Sequence, residues 1–177
     1  MDDTIKKAII PSPQKGERAL EIEGQPVLPD GRLVYKIDSA PSDALVIHCA
    51  DPRFQTAFRR FLTEELGLKN YTPITIGGGI HALSSQAFLP KNFKILWEQV
   101  KFYVKQGDMR RIIFINHEDC KWYEKMHGHL PRFNLPAKSQ EDLMSAAQVI
   151  LQDFAGVHLE TYFAHLNGDE VKFERVS

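Results

Sequence analysis

Runs of apolar residues alternate with amphipathic stretches from residue 44 to the end of the chain. Ala44-Leu45-Val46-Ile47 is a short unbroken apolar run, the pattern of a strand covered on both faces, and it ends at His48-Cys49. A helix is predicted next. Asp51 is a good N-cap and Pro52 suits the first helical position. Phe54, Ala57, Phe58, Phe61, Leu62 and Leu66 recur at helical spacing opposite Arg59, Arg60, Thr63 and Glu64, and Gly67 is placed to end the helix. Tyr71 to Ile76 reads as a second strand, weakened by Pro73, and runs into Gly77-Gly78-Gly79. A further helix is expected from Asn92 to Gln106, with Phe93, Leu96, Trp97, Val100 and Val104 on one face and Gly107 at its end. Arg111 to Ile115 is another buried strand, leading into Asn116-His117.

From Lys121 to Lys138 the chain reads as a long polar and aromatic loop with room for a turn of helix. Ser139 and Asp142 have the spacing of a capping box, and Leu143, Ala147, Ile150, Leu151 and Phe154 form the apolar face of the last long helix, closed by Gly156. Val157 to Leu166 alternates as a strand. Asn167-Gly168 is a hairpin turn, and Glu170 to Val176 returns as an edge strand. The order predicts an α/β domain of three layers, with a mostly parallel central sheet and a C-terminal hairpin at its edge. Residues 1–43 are different. Pro11, Pro13, Pro26, Pro29 and Pro41 forbid a long helix, Pro29-Asp30-Gly31 signals a turn, and Leu33 to Ile37 reads as a short strand. The expected division is an irregular arm or hairpin over 1–43 and an α/β domain over 44–177.

Composition narrows the function. A chain of 177 residues with a 43% hydrophobic fraction builds one core without staples. The net charge of −1 provides no basic footprint for nucleic acid or an anionic membrane. Ala8-Ile9-Ile10 is too short for a signal-peptide core, so the expected location is the cytoplasm, where two separated cysteines are thiols or metal ligands rather than a disulfide.

Those two cysteines mark the candidate chemistry. Cys49-Ala50-Asp51-Pro52-Arg53 follows one predicted strand, and His117-Glu118-Asp119-Cys120 follows another. The ends of parallel strands share one edge of a sheet, where ligands bind near the reversal of strand order. Cys49, His117 and Cys120 can thus supply three ligands to a zinc ion and leave a fourth position open, the mark of a catalytic site. Zinc acidifies a bound water. Asp51 could accept a hydrogen bond from it or take the open position, and the Arg53 guanidinium would orient Asp51. Singly, Asp51 reads as a helix cap, Arg53 as a solvated side chain, Cys49 as a small buried hydrophobe and His117 as a loop histidine. Their joint occurrence favours a zinc site. A thiol-phosphatase reading fails, because three residues between Cys49 and Arg53, one of them proline, make a poor phosphate cradle. Gly77-Gly78-Gly79 reads equally as a tight turn or a pocket wall and, lacking a following Lys-Ser or Lys-Thr, is not a phosphate loop. Trp122, Tyr123 and Phe54 are candidates for pocket wall or core, and His127 and His129 for proton transfer or simple exposure.

The two stretches resemble the signature of the β-class carbonic anhydrases, Cys-x-Asp-x-Arg and His-x-x-Cys, and the order of elements is similar over roughly three quarters of the chain. The resemblance implies zinc on Cys49, His117 and Cys120, with Asp51 and Arg53 as a dyad beside the zinc water. It also implies reversible hydration of carbon dioxide to bicarbonate, and a homodimer with the pocket near its interface. Three departures stand out. Lys121-Trp122 follows Cys120 where the family has glycine, Gly77-Gly78-Gly79 stands where the family has an Arg-Asn-x-Gly-Asn segment, and the first forty residues lack the family's N-terminal helices. These departures keep two alternatives open: hydrolysis of another small carbon-dioxide-like molecule such as carbonyl sulfide, or a zinc-binding domain without catalysis.

Overall fold

Five strands form one sheet in the order β2-β1-β3-β4-β5. The strands are β1 (Leu45–Cys49), β2 (Thr72–Ile76), β3 (Arg111–His117), β4 (His158–Asn167) and β5 (Glu170–Arg175). β1 pairs in parallel with both β2 and β3, β3 pairs in parallel with β4, and only the β4–β5 hairpin is antiparallel. This computed structural model describes residues 35, 37–128 and 134–176. The chain divides into units 1–39 and 40–177, and every element named here belongs to the second. The strand expected at Leu33 to Ile37, like the turn before it, falls largely outside the described residues.

The unbroken apolar run of β1 follows from its place. All five of its residues are buried, because alternate side chains face opposite helical layers. Leu45 and Ile47 join Ile112, Phe114 and Phe163 beneath α3 (Pro90–Lys105) and α5 (Leu135–Asp153). Val46 joins Ile113, Ile115 and Ala164 beneath α1 (Gln55–Arg60), where Phe58 and Leu62 fill the interface. The sheet is thus the middle of three layers, as the pattern predicts.

Four local expectations are corrected. Asp51 does not cap α1 directly; its Oδ1 accepts the Arg53 N–H at 3.0 Å in a turn that precedes the helix, and Phe54 is the N-cap. α1 then widens into a π turn over Phe61–Glu65 before Gly67, at φ +66°, ends it. Lys121–His127 is a helix, α4, rather than a loop: the fully buried Tyr123 anchors it and Lys121 pairs with Glu124 one turn on. Finally, Ser139 and Asp142 do not form a capping box. α5 starts earlier, with Asn134 Oδ1 accepting the Ala137 N–H at 3.1 Å and Pro136 in the first turn, so both residues lie inside the helix and are buried. A four-residue helix, α2 (His81–Ser84), follows the glycine triplet and had no periodic signal long enough to show.

Candidate metal centre

β1 leads to β2 on one side and, by the next crossover, to β3 on the other, so strand order reverses between β1 and β3. Cys49 is the last residue of β1 and His117 the last of β3, which puts both at the crevice that opens where neighbouring connections diverge. Cys120 follows after a tight turn. Asp119 makes that turn with φ +53°, a left-handed conformation that Asp tolerates better than most residues. The turn is pinned to β4: the Glu118 N–H donates to Ala164 O at 2.9 Å, and Glu118 Oε2 accepts the Leu166 N–H at 2.8 Å. The other loop is pinned by Gln55, whose Nε2 donates to Cys49 O at 2.9 Å and to Asp51 O at 2.8 Å.

The structure brings Cys49, His117 and Cys120 together, all buried, with their ligand atoms within 4.8 Å of one another. The two Sγ atoms are 3.8 Å apart. Two sulfurs bound at about 2.3 Å to a tetrahedral zinc stand roughly 3.8 Å apart as well. His117 Nδ1 lies 2.6 Å from Glu118 O, and a carbonyl can only accept, so the proton is on Nδ1 and Nε2 presents a bare lone pair. That Nε2 is buried and has no hydrogen-bond partner among the described residues. An unpartnered buried acceptor is costly, and a cation between it and the two sulfurs removes the cost. The donor set therefore fits a metal ion. Hydrogen bonding from Cys120 pulls the Cys49 thiol down against its burial, with the Gly78 N–H at 3.4 Å from Sγ adding to the effect; the same contact and burial push Cys120 up.

Asp51 lies outside the three-donor group. Its carboxylate is gripped by Arg53: Nε lies 3.1 Å from Oδ1, and Nη2 donates to Oδ2 at 2.7 Å. The guanidinium also crosses to the second loop, with Nη1 on Asp119 Oδ2 at 2.7 Å and Nη2 on Asp119 O at 3.0 Å. Arg53 hydrogen bonds hold both carboxyls below their ordinary values. Nothing in the sequence marks Asp119 beyond its place inside the His-x-x-Cys stretch.

The aromatic candidates separate. Phe54 and Tyr123 are core: both are 1% exposed, and the Phe54 ring lies 4.0 Å from that of His117. Tyr123 donates its O–H to Asp142 at 3.0 Å and accepts from Asn116 Nδ2 at 3.1 Å. Trp122 lines an open cleft of about 600 Å³ together with Cys49, Asp51, Pro52, Arg53 and Gly77. The glycine triplet is both turn and wall. Gly78 and Gly79 have positive φ, and the indole of Trp122 lies directly on Gly77 and Gly78. His127 Nε2 is 2.9 Å from His81 Nε2, and His129 lies outside the described residues.

Fold and site together define an α/β domain with a Cys-His-Cys donor set at the switch point of its sheet. In structure the chain is similar to β-carbonic anhydrases. It is 13% identical to isoform I from Trichomonas vaginalis, with a TM-score of 0.49, over 79% of this chain and 86% of that one. Against the carbonic anhydrase of Streptococcus mutans the values are 11% and 0.47, over 77% and 82%. Against a chain from the structures of two tetrameric β-carbonic anhydrases of Sordaria macrospora they are 13% and 0.49, over 75% and 80%. No protein-family model matches the chain, and no curated protein does. No helix among the described residues is long and apolar enough to cross a membrane.

Proposed function

We propose that this domain holds zinc through Cys49 Sγ, His117 Nε2 and Cys120 Sγ and catalyses the reversible hydration of carbon dioxide to bicarbonate. The observation that carries the reading is the buried, unpartnered His117 Nε2 beside two thiols at the sulfur spacing of a zinc site. When bound, zinc supplies a Lewis acid that lowers the pKa of a coordinated water to about 7. Arg53 keeps Asp51 ionised, so that a carboxylate oxygen is available to accept a water O–H and fix its orientation. Because Arg53 also binds Asp119, both ligand-bearing loops are held in register. Ala50, Pro52 and Trp122 supply apolar lining through which a neutral substrate can approach. Free thiols at both cysteines suit a reducing, cytoplasmic setting, and a homodimer is part of the same reading.

The test is metal analysis of the purified protein together with stopped-flow hydration of carbon dioxide across pH. Near-stoichiometric zinc, lost in Cys120→Ser, and hydration that falls with it are expected. Wild-type protein without zinc, or a Cys120→Ser variant that retains it, overturns the reading. Carbonyl sulfide is the second reading, favoured by the departures from the family pattern that line the cleft, Lys121-Trp122 and Gly77; parallel assays on both molecules separate the two. The engagement of Asp51 by Arg53 speaks against a non-catalytic site closed by that carboxylate.

A further inference from the structure

A tyrosine stands where the packing needs only a ring. Cys49, Cys120 and Tyr123 form a small buried cluster of their own, apart from the two cores that flank the sheet, with Trp122 packed against it. A hydroxyl brought into such a cluster is costly unless it is bonded. Here it is bonded on both sides. Tyr123 O–H donates to Asp142 Oδ2 at 3.0 Å, and the same oxygen accepts from Asn116 Nδ2 at 3.1 Å.

The direction of these bonds is fixed. Asn116 Nδ2 also faces Ser139 O at 3.1 Å, a carbonyl that can only accept, so this atom is the amide nitrogen. At the other end Lys138 Nζ holds Asp142 Oδ1 at 2.6 Å, and a carboxylate can only accept. The phenol proton therefore has one place to point. Burial and the neighbouring Asp142 charge push the phenol pKa well above its ordinary value, so the proton stays on.

These bonds join the two segments that carry the metal-ligand candidates. Asn116 immediately precedes His117 at the end of β3, and Tyr123 lies one turn of α4 beyond Cys120, whose carbonyl accepts the Glu124 N–H at 3.0 Å. Ser139 and Asp142 belong to α5. A helix as short as α4, with seven residues, does not hold its own place and depends on tertiary contacts. His81 stands edge-on to the Tyr123 ring, at 4.8 Å between centroids and 75° between planes, and its Nδ1 accepts the Trp122 N–H at 3.4 Å. Any slide or turn of α4 moves Cys120 with it and breaks the bonds of the tyrosine oxygen.

We propose that Tyr123 is a positioning residue of the metal centre: its hydroxyl, shared between Asp142 and Asn116, fixes α4 against β3 and α5 and so holds Cys120 in place to share a metal ion with Cys49 and His117. This rests on the zinc reading above. Groups that orient metal ligands typically carry about 10- to 100-fold in metal affinity.

Tyr123→Phe keeps the ring and removes the hydroxyl. Lys138→Met is the control: it breaks the buried ion pair at the far end of the network, yet leaves the tyrosine oxygen bonded to Asp142 and Asn116. Zinc affinity is measured by competition with a chromophoric chelator, coordination by the visible spectrum of the cobalt(II)-substituted protein, and stability by urea unfolding of the metal-free protein. Tyr123→Phe is expected to weaken zinc binding about 10- to 100-fold and to alter the cobalt bands. Lys138→Met is expected to lose stability while keeping the zinc affinity and cobalt spectrum of the wild type. Wild-type affinity and spectrum in Tyr123→Phe, or an equal loss of affinity in Lys138→Met, overturns the proposal while leaving the zinc reading standing. Asn116→Ala removes the other bond to the same oxygen and is read in the same way should Tyr123→Phe fail to fold. Wild-type protein that takes up neither zinc nor cobalt overturns the zinc reading and the positioning role with it.

Discussion

Replacing Gly78 with alanine isolates the close approach on which the cleft wall depends. Two costs are involved, and another glycine separates them. Gly67 has φ +66° and nothing within 4 Å of where a Cβ would sit, whereas Gly78 has φ +79° and a Cβ there would overlap the Trp122 indole. Alanine at either position meets a left-handed backbone penalty of about 1 kcal/mol. Only at Gly78 does it add an overpacking cost, about 1–3 kcal/mol when a well-packed neighbour must move. The restriction of the unfolded chain by the new methyl is common to both variants and cancels in the difference. Gly78→Ala is therefore expected to lose about 2–4 kcal/mol and Gly67→Ala about 1 kcal/mol. Urea unfolding followed by circular dichroism measures both. In a Trp122→Gly background the Gly78→Ala cost should shrink to that of Gly67→Ala, because the colliding ring is gone. Equal costs for the two single variants, or an undiminished Gly78→Ala cost without Trp122, would refute the seating of the indole.

Three other expectations follow from buried charges and from the metal. Glu160 is pushed up by burial but held below its ordinary value on balance by hydrogen bonds from Arg111 Nε at 2.6 Å and Tyr162 O–H at 2.7 Å. A depressed carboxyl stabilises the fold above its unfolded value near 4.5, and the contribution is withdrawn as pH falls from there through the lower folded value, so urea midpoints should drop in that window and Glu160→Gln should flatten the drop. Lys138→Met leaves the Asp142 carboxylate, 1% exposed, without its cation at 2.6 Å; a loss of about 3 kcal/mol is expected in urea unfolding, and one below about 1 kcal/mol would mean the pair is dispensable. Added zinc at a thousandfold excess over its dissociation constant should stabilise the wild type by about 4 kcal/mol, measured as a thermal shift that a chelator reverses and that Cys49→Ser lacks.

The legibility of this chain divides by range. β1 and β3 are legible as unbroken apolar runs and the faces of α1, α3 and α5 as periodic ones, both of which local order alone reveals, and Leu96, Val100 and Val104 are buried as their spacing requires. Even so, Leu151 shares the spacing of the apolar face of α5 and is 52% exposed, since four-residue steps drift around a helix. The start of α5 differs from the expected one for a chemical reason. Ser139 and Asp142 have capping chemistry, but that same chemistry serves a buried network in which Ser139 Oγ accepts from Asn116 Nδ2 at 2.9 Å and Asp142 accepts from Tyr123 and Lys138.

The three donors could be brought together from the sequence because parallel topology converts the end of a strand into a position on one edge. No such rule reaches the contacts that complete the site. Arg53 could be paired with Asp51 two residues away, yet its equally short bond to Asp119 spans 66 residues and depends on how far the His117–Cys120 turn swings back. The His81 to Trp122 bond spans 41 residues and depends on α2, a helix too short to announce itself. What the sequence did hold was the requirement rather than the partner: three consecutive glycines need something against which a side chain cannot fit, and a tryptophan where its surroundings are small needs a place to lie. Read jointly, those two anomalies answer each other, because the ring occupies the space that the missing Cβ of Gly78 leaves.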